Sequence, residues 1–152
     1  MLATPNTVES GAYRHALEAV GRGLDVIEVA APDLAPFIQN GSLFDEETMT
    51  MARSYCRPLK EADVDTLILG CTHYPLVAPM LQRILGRDVR LVSGGHAVAA
   101  AVQRTLEAAG LARESRGEGS YDFLCTGDCE SFHAIGTRFL QMPLGEVEQV
   151  EI

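Results

Sequence analysis

The stretch "VDTLILG", residues 64–70, constrains the fold more than any other segment of the chain. It is nearly all apolar and rich in branched side chains, without the polar–apolar alternation of a half-solvated strand. That pattern predicts a strand buried on both faces of a parallel sheet. A helical period over 74–86 follows it, with Pro75 in the first turn, where a missing N–H costs nothing. The same order, a short apolar run and then a longer helical period, recurs along the chain. "MLAT" reads as the end of a strand and "NTVESGAYRHALEAVGR" as one helix, with Asn6 or Thr7 as its cap. "LDVIEVAA" reads as a strand, and a short helix runs from Pro32 to about Asn40, stopped by Gly41. Residues 45–62 read as a helix with acids early and bases late, which suits the helix dipole, and with Pro58 bending its last turn. "DVRLVSG" is a further strand and "GHAVAAAVQRTLEAAGL" an alanine-rich helix. "YDFLCTG", "DCESFHAIGTRFL" and "VEQVEI" then read as strand, helix and short edge strand. Alternation of this kind predicts an α/β fold with a mainly parallel sheet flanked by helices. The expected organisation is an α/β domain over 1–112, a polar, glycine-bearing flexible connection over 113–120, and a strand–helix–strand tail over 121–152.

The chain's 152 residues are enough for one ordinary domain with a real core, and 47% hydrophobic with 22% charged residues excludes a disordered chain. No apolar run approaches the ~20 residues of a membrane span, and "MLATPNTVES" lacks the basic start and apolar stretch of a signal peptide. Cytoplasmic localisation is the expectation, with no membrane partner. The chain opens almost directly on a strand residue, so Met1 is expected to begin inside what was once a longer polypeptide. A net charge of −9, with arginines scattered singly and no basic stripe, argues against a nucleic-acid partner.

Four cysteines are present, Cys56, Cys71, Cys125 and Cys129, and without an export signal they are expected to be reduced thiols. Cys125 and Cys129 lie four apart with His133 four further on, but structural zinc uses tighter ligand pairs. They read as two thiols at a strand-to-helix corner, and no metal is expected.

"GCTHYP", residues 70–75, presents a thiol, a hydroxyl and an imidazole where a strand of the sheet ends. Ligands of open α/β sheets bind beyond the carboxyl ends of strands. A helix starting there would favour the thiolate of Cys71, while Thr72 and free N–H groups of the first turn would hold an anion. His73 is near enough to tune the thiol. The bland reading of the same residues is a packed cysteine, a helix cap and a surface imidazole.

"LGCTHYP" resembles the second catalytic motif of glutamate racemases, and the resemblance extends over nearly the whole chain. "LATPNTVESGAY", "VRLVSGG" and "TGDCESFHAIGTRFL" resemble other segments of the same family's second half. Aspartate racemases share Gly-Cys-Thr but differ at His-Tyr-Pro, so glutamate is favoured over aspartate. The resemblance implies the second half of the two-domain aspartate/glutamate racemase fold. It also implies cofactor-independent interconversion of L- and D-glutamate, which supplies peptidoglycan precursors. Two cysteines on opposite faces of the substrate's α-carbon are needed, because one group acting on one face regenerates the same enantiomer. By the match Cys71 is one of them and His73 supports it. Thr72 and His73 are expected to bind the small amino-acid substrate, and Thr4 and Thr7 to line its pocket. Segments like "DSG" and "CNT", the latter carrying the family's other cysteine, do not occur in these residues. Gln39 stands where the family usually has a supporting glutamate. The chain is therefore expected to be incomplete on its own and to leave apolar surface along "AVAAAVQRTL". A complementary N-terminal half, or a second copy in a homo-oligomer, is the expected partner. Two other classes fit the same residues: a non-catalytic remnant or docking module, and a separate thiol enzyme using Cys71 as nucleophile.

Overall fold

The computed structural model describes residues 1–21, 23–41, 43, 45–113 and 117–152. Its elements in chain order are β1 (Leu2–Ala3), α1 (Pro5–Glu9), α2 (Ala12–Val20), β2 (Val29–Ala30), α3 (Leu34–Gln39), α4 (Glu46–Glu61) and β3 (Thr66–Leu69). A 3₁₀ helix (Tyr74–Val77) and α5 (Ala78–Leu85) follow, then β4 (Arg90–Ser93), α6 (Gly95–Ala108), β5 (Phe123–Cys125), α7 (Cys129–Leu140) and β6 (Val147–Gln149). Residues 1–105 form one compact unit and residues 106–152 a second, the division falling within α6. Part of the expected connection over 113–120 lies outside the described residues.

The first unit is built on a four-stranded sheet in the order β2-β1-β3-β4, parallel throughout. Both residues of the central strand β1 are buried, whereas β3 is buried mainly on one face. Along β3 the burial runs exposed, buried, half-buried, buried, so Leu67 and Leu69 point into the core. Ile68 and its registered neighbour Val92 share the other face, where Val92 is exposed. The expectation of a strand buried on both faces is thus corrected: one face of β3 is packed, the other only partly covered. The buried core also includes Leu34 and Ile38 of α3, Ala52, Cys56 and Leu59 of α4, and Leu81 and Leu85 of α5. In α4 the buried positions Thr48, Ala52, Cys56 and Leu59 recur at helical spacing, and the Asp45 carboxylate caps the start by accepting from Thr48 N–H at 2.8 Å. The helix runs through Pro58, and Ala62 N–H still bonds the Pro58 carbonyl at 3.1 Å.

Three other element expectations change. The single helix over 6–22 is two helices, because Gly11 adopts the left-handed conformation (φ 63°) and ends the first within two turns. Neither Asn6 nor Thr7 caps it: the residue before the first turn is Thr4, with Pro5 inside the helix start. The helix over 74–86 divides at Val77, since Pro79 has no N–H for the Pro75 carbonyl and Ala78 bonds that carbonyl one residue early. The strand over 24–31 pairs only at its end, Val29–Ala30.

All of α6 is exposed, including Val98, Val102 and Leu106, which recur every fourth residue along one face. The bases that read as scattered are not scattered in space: Arg53, Arg57 and Lys60 of α4 and Arg83 of α5 line one groove.

In the second unit β5 and β6 form their own parallel pair, and α7 is capped by Asp128, which accepts from Ser131 N–H at 2.7 Å. His133 Nε2–H donates to the Leu144 carbonyl at 3.1 Å, and Leu144 is buried.

Candidate functional site

Two of the proposed site residues, Thr4 and Cys71, sit at one level of the sheet because of its register. Leu2 of β1 pairs with Leu69 of β3, so Thr4 and Cys71 each stand two residues beyond a registered pair. Leu69 pairs with Ser93, which puts Gly95, the first residue of α6, at the same level beyond β4. This is the carboxyl edge at which ligands of open parallel sheets bind. Thr4 Oγ1 and Thr7 Oγ1 lie 2.9 Å apart and share a hydrogen bond, both half-buried. Pro5 at the start of α1 turns the chain immediately after β1, which brings Thr7 back beside Thr4.

Beyond β3 the chain makes a tight turn closed by Tyr74 N–H donating to the Cys71 carbonyl at 3.2 Å. The turn sets Cys71 Sγ 3.7 Å from His73 Nδ1, within reach of a sulfur hydrogen bond, with both residues half-buried and Thr72 exposed. A thiol and an imidazole at this distance can exchange or share a proton. Tyr74 anchors the turn from below. It is fully buried, its hydroxyl donates to the Ala31 carbonyl at 3.1 Å, and burial raises its pKa. Gly70 makes the approach possible, since its N–H bonds the Leu2 carbonyl at 2.8 Å and an added Cβ would stand 2.8 Å from Ala3 Cβ.

The expected helix N-terminus at Cys71 is corrected. Only the four-residue 3₁₀ helix begins beside it, and α5 starts at Ala78, seven residues further on. The imidazole is therefore the near group for Cys71, and the α-helix dipole is not. Gln39 is the last residue of α3, exposed, on a helix that packs against the 3₁₀ helix. The other thiols are Cys56, Cys125 and Cys129. Cys56 is fully buried in α4, and burial pushes its thiol up to about 11. Cys125 and Cys129 lie 3.5 Å apart at the β5–α7 corner of the second unit, where their mutual hydrogen bond raises the pKa of Cys129. Among the described residues no three His, Cys, Asp or Glu side chains are grouped to hold a metal ion, and no helix is long and apolar enough to cross a membrane.

A thiol, an imidazole and paired hydroxyls thus lie at the carboxyl edge of the parallel sheet of an α/β protein. The chain belongs to the Asp/Glu/Hydantoin racemase family, which it matches over residues 1–102. Among its relatives, the glutamate racemase of Bacillus cereus is 32% identical over 150 residues, covering 99% of this chain and 56% of that protein. A glutamate racemase isoform from Bacillus anthracis superposes with a TM-score of 0.90 at 30% identity, covering 99% of this chain and 56% of that one. The glutamate racemase of Francisella tularensis, solved in complex with D-glutamate, superposes with a TM-score of 0.89 at 25% identity over the same shares. The chain thus spans about half the length of the relatives it matches.

Proposed function

We propose that this chain is the part of a glutamate racemase that carries one of its two proton-transferring thiols, Cys71. The observation that carries the reading is the Cys71–His73 pair, 3.7 Å apart, held at the same level of the sheet as Thr4. The α-proton of an amino acid is a very weak acid, so its removal demands a base held against it and donors for the developing charge. Cys71, as thiolate, takes that proton from one face of glutamate. His73 holds the thiol in place and shares its proton. Thr72 hydroxyl binds the substrate, and Thr4 and Thr7 form the adjoining wall. Gln39 offers a neutral amide in place of the family's carboxylate. The reaction requires no cofactor, because the thiols themselves move the proton.

Inversion needs a donor on the opposite face. Cys56 does not supply it, because it is sealed in the core of the first unit. A complementary half brings that donor and closes the pocket. The exposed apolar face of α6, with Val98 62% and Val102 53% accessible, supports an associating chain. The work is done in the cytoplasm, where free glutamate and reduced thiols are found.

Iodoacetamide labelling tests the assignment, with each cysteine followed by mass spectrometry. L- or D-glutamate slows modification of Cys71, leaves Cys125 and Cys129 unchanged, and loses this effect in Thr72→Val. Equal labelling of Cys71 with and without saturating glutamate contradicts the reading.

A further inference from the structure

We propose that the groove between α4 and α5 is a binding site for a phosphorylated organic molecule, a polyanion with an apolar body. The groove is an open cavity of about 760 Å³, within the range of small-molecule sites. Arg53, Arg57 and Lys60 follow at helical spacing along α4, and Arg83 of α5 completes the rim. Among the described residues none of these four cations forms a salt bridge; Arg53 spends one N–H on the thioether of Met49 at 3.4 Å. Glu61 is the one carboxylate lining the cavity against them.

Two physical points make this more than a solvated face. The chain carries a net charge of −9, with 12 basic residues in all, so four of them around one cavity create a local field opposite to that of the molecule. Such a field attracts an anion. The floor, in contrast, is apolar: Met49, Met80 and Ile84 lie beneath the rim. A bare inorganic anion would leave that floor unused, whereas an aromatic or aliphatic body would cover it. Guanidinium forks match phosphate oxygens in pairs, and three of the four cations are arginines. Phosphate esters also deliver two or more charges within the span of one cavity.

The groove lies on the packed outer layer of the first unit and shares no lining residue with Cys71, Thr72, His73, Thr4 or Thr7. The inference therefore stands independently of the racemase reading. It is tested by calorimetric titration of the 152-residue chain at low ionic strength with adenosine triphosphate, inorganic triphosphate and adenosine as probes. Adenosine triphosphate is expected to bind, and more weakly as salt rises. Inorganic triphosphate should bind several-fold less tightly, and adenosine not measurably. Arg57→Gln and Arg83→Gln, each checked for an unchanged melting curve, should each weaken binding about tenfold. Absence of binding by adenosine triphosphate, or binding that both variants retain in full, would overturn the proposal. Inorganic triphosphate binding as tightly as the nucleotide would overturn the apolar body.

Discussion

Replacing Gly70 with alanine should cost more stability than any other one-methyl addition in the first unit. The new Cβ would stand 2.8 Å from Ala3 Cβ, 3.2 Å from the Leu2 carbonyl oxygen and 3.4 Å from Met1 Sδ. Carbon atoms in contact prefer about 3.5–4.0 Å, so the first pair overlaps severely. Neither of the two nearest atoms can swing away. Ala3 Cβ has no rotamer to change, and the Leu2 carbonyl is tied to Gly70 N–H at 2.8 Å. Relief requires β1 and β3, the two central strands, to separate. Overpacking of this kind costs roughly 1–3 kcal/mol, and the rigid neighbours place Gly70→Ala in the upper half of that range. For a chain of this size the melting temperature should fall by roughly 4–12 °C. Thermal unfolding followed by circular dichroism measures it. Gly136→Ala is the contrasting case, because the atom in the way is the mobile end of the Leu144 side chain, and its effect should be smaller. Ala3→Gly added to Gly70→Ala should recover part of the loss, although Ala3→Gly alone destabilises. A melting temperature unchanged in Gly70→Ala, or strictly additive effects in the pair, would refute the steric argument.

Three other outcomes follow from single contacts. Asp45→Ala removes the carboxylate that accepts from Thr48 N–H and should destabilise the chain by about 1 kcal/mol, read from the urea midpoint, with Asp45→Asn recovering most of it. Tyr74→Phe strips a buried donor from the Ala31 carbonyl and should cost about 1–3 kcal/mol; a change near zero would mean the hydroxyl does not hold the turn. Cys56 keeps its proton up to about 11 when folded, against an ordinary 9.0, because burial disfavours the thiolate. Above pH ~9 the unfolded chain loses a proton the folded chain retains, so stability should fall between pH ~9 and ~11, by up to about 2–3 kcal/mol. Denaturation at several alkaline pH values should show a flatter decline in Cys56→Ala, and identical slopes would contradict the assignment.

The strand–helix order and the parallel sheet were legible because each strand is a short apolar run followed by a helical period. What the sequence concealed lies at the punctuation. Gly11 sits inside a continuous helical pattern, and only its left-handed φ reveals the break between α1 and α2. Pro79, four residues after Pro75, carried the signal for the 3₁₀ segment: a second proline at that spacing removes the N–H the first one's carbonyl needs. The half-exposed Ile68 could not be anticipated from composition, since an all-apolar strand states that both faces avoid water and not which chain covers them. At the site, Cys71, Thr72 and His73 stood together in the sequence, but the alignment of Thr4 with Cys71 depends on inter-strand register. The groove cations were partly legible. Arg53, Arg57 and Lys60 share a helical face, whereas Arg83 joins them only through the packing of α4 on α5.

Hydrogen exchange at the α-carbon of glutamate tests the central claim, that Cys71 moves a proton on one face only. The purified 152-residue chain is incubated with L- and with D-glutamate in deuterated water, followed by chiral separation and mass measurement. The account predicts slow deuterium incorporation into one enantiomer without inversion, lost in Cys71→Ala. Full racemisation by this chain alone would show that it already holds a donor for the second face. Exchange that persists in Cys71→Ala, or none at all in the unaltered chain, would contradict the role given to Cys71.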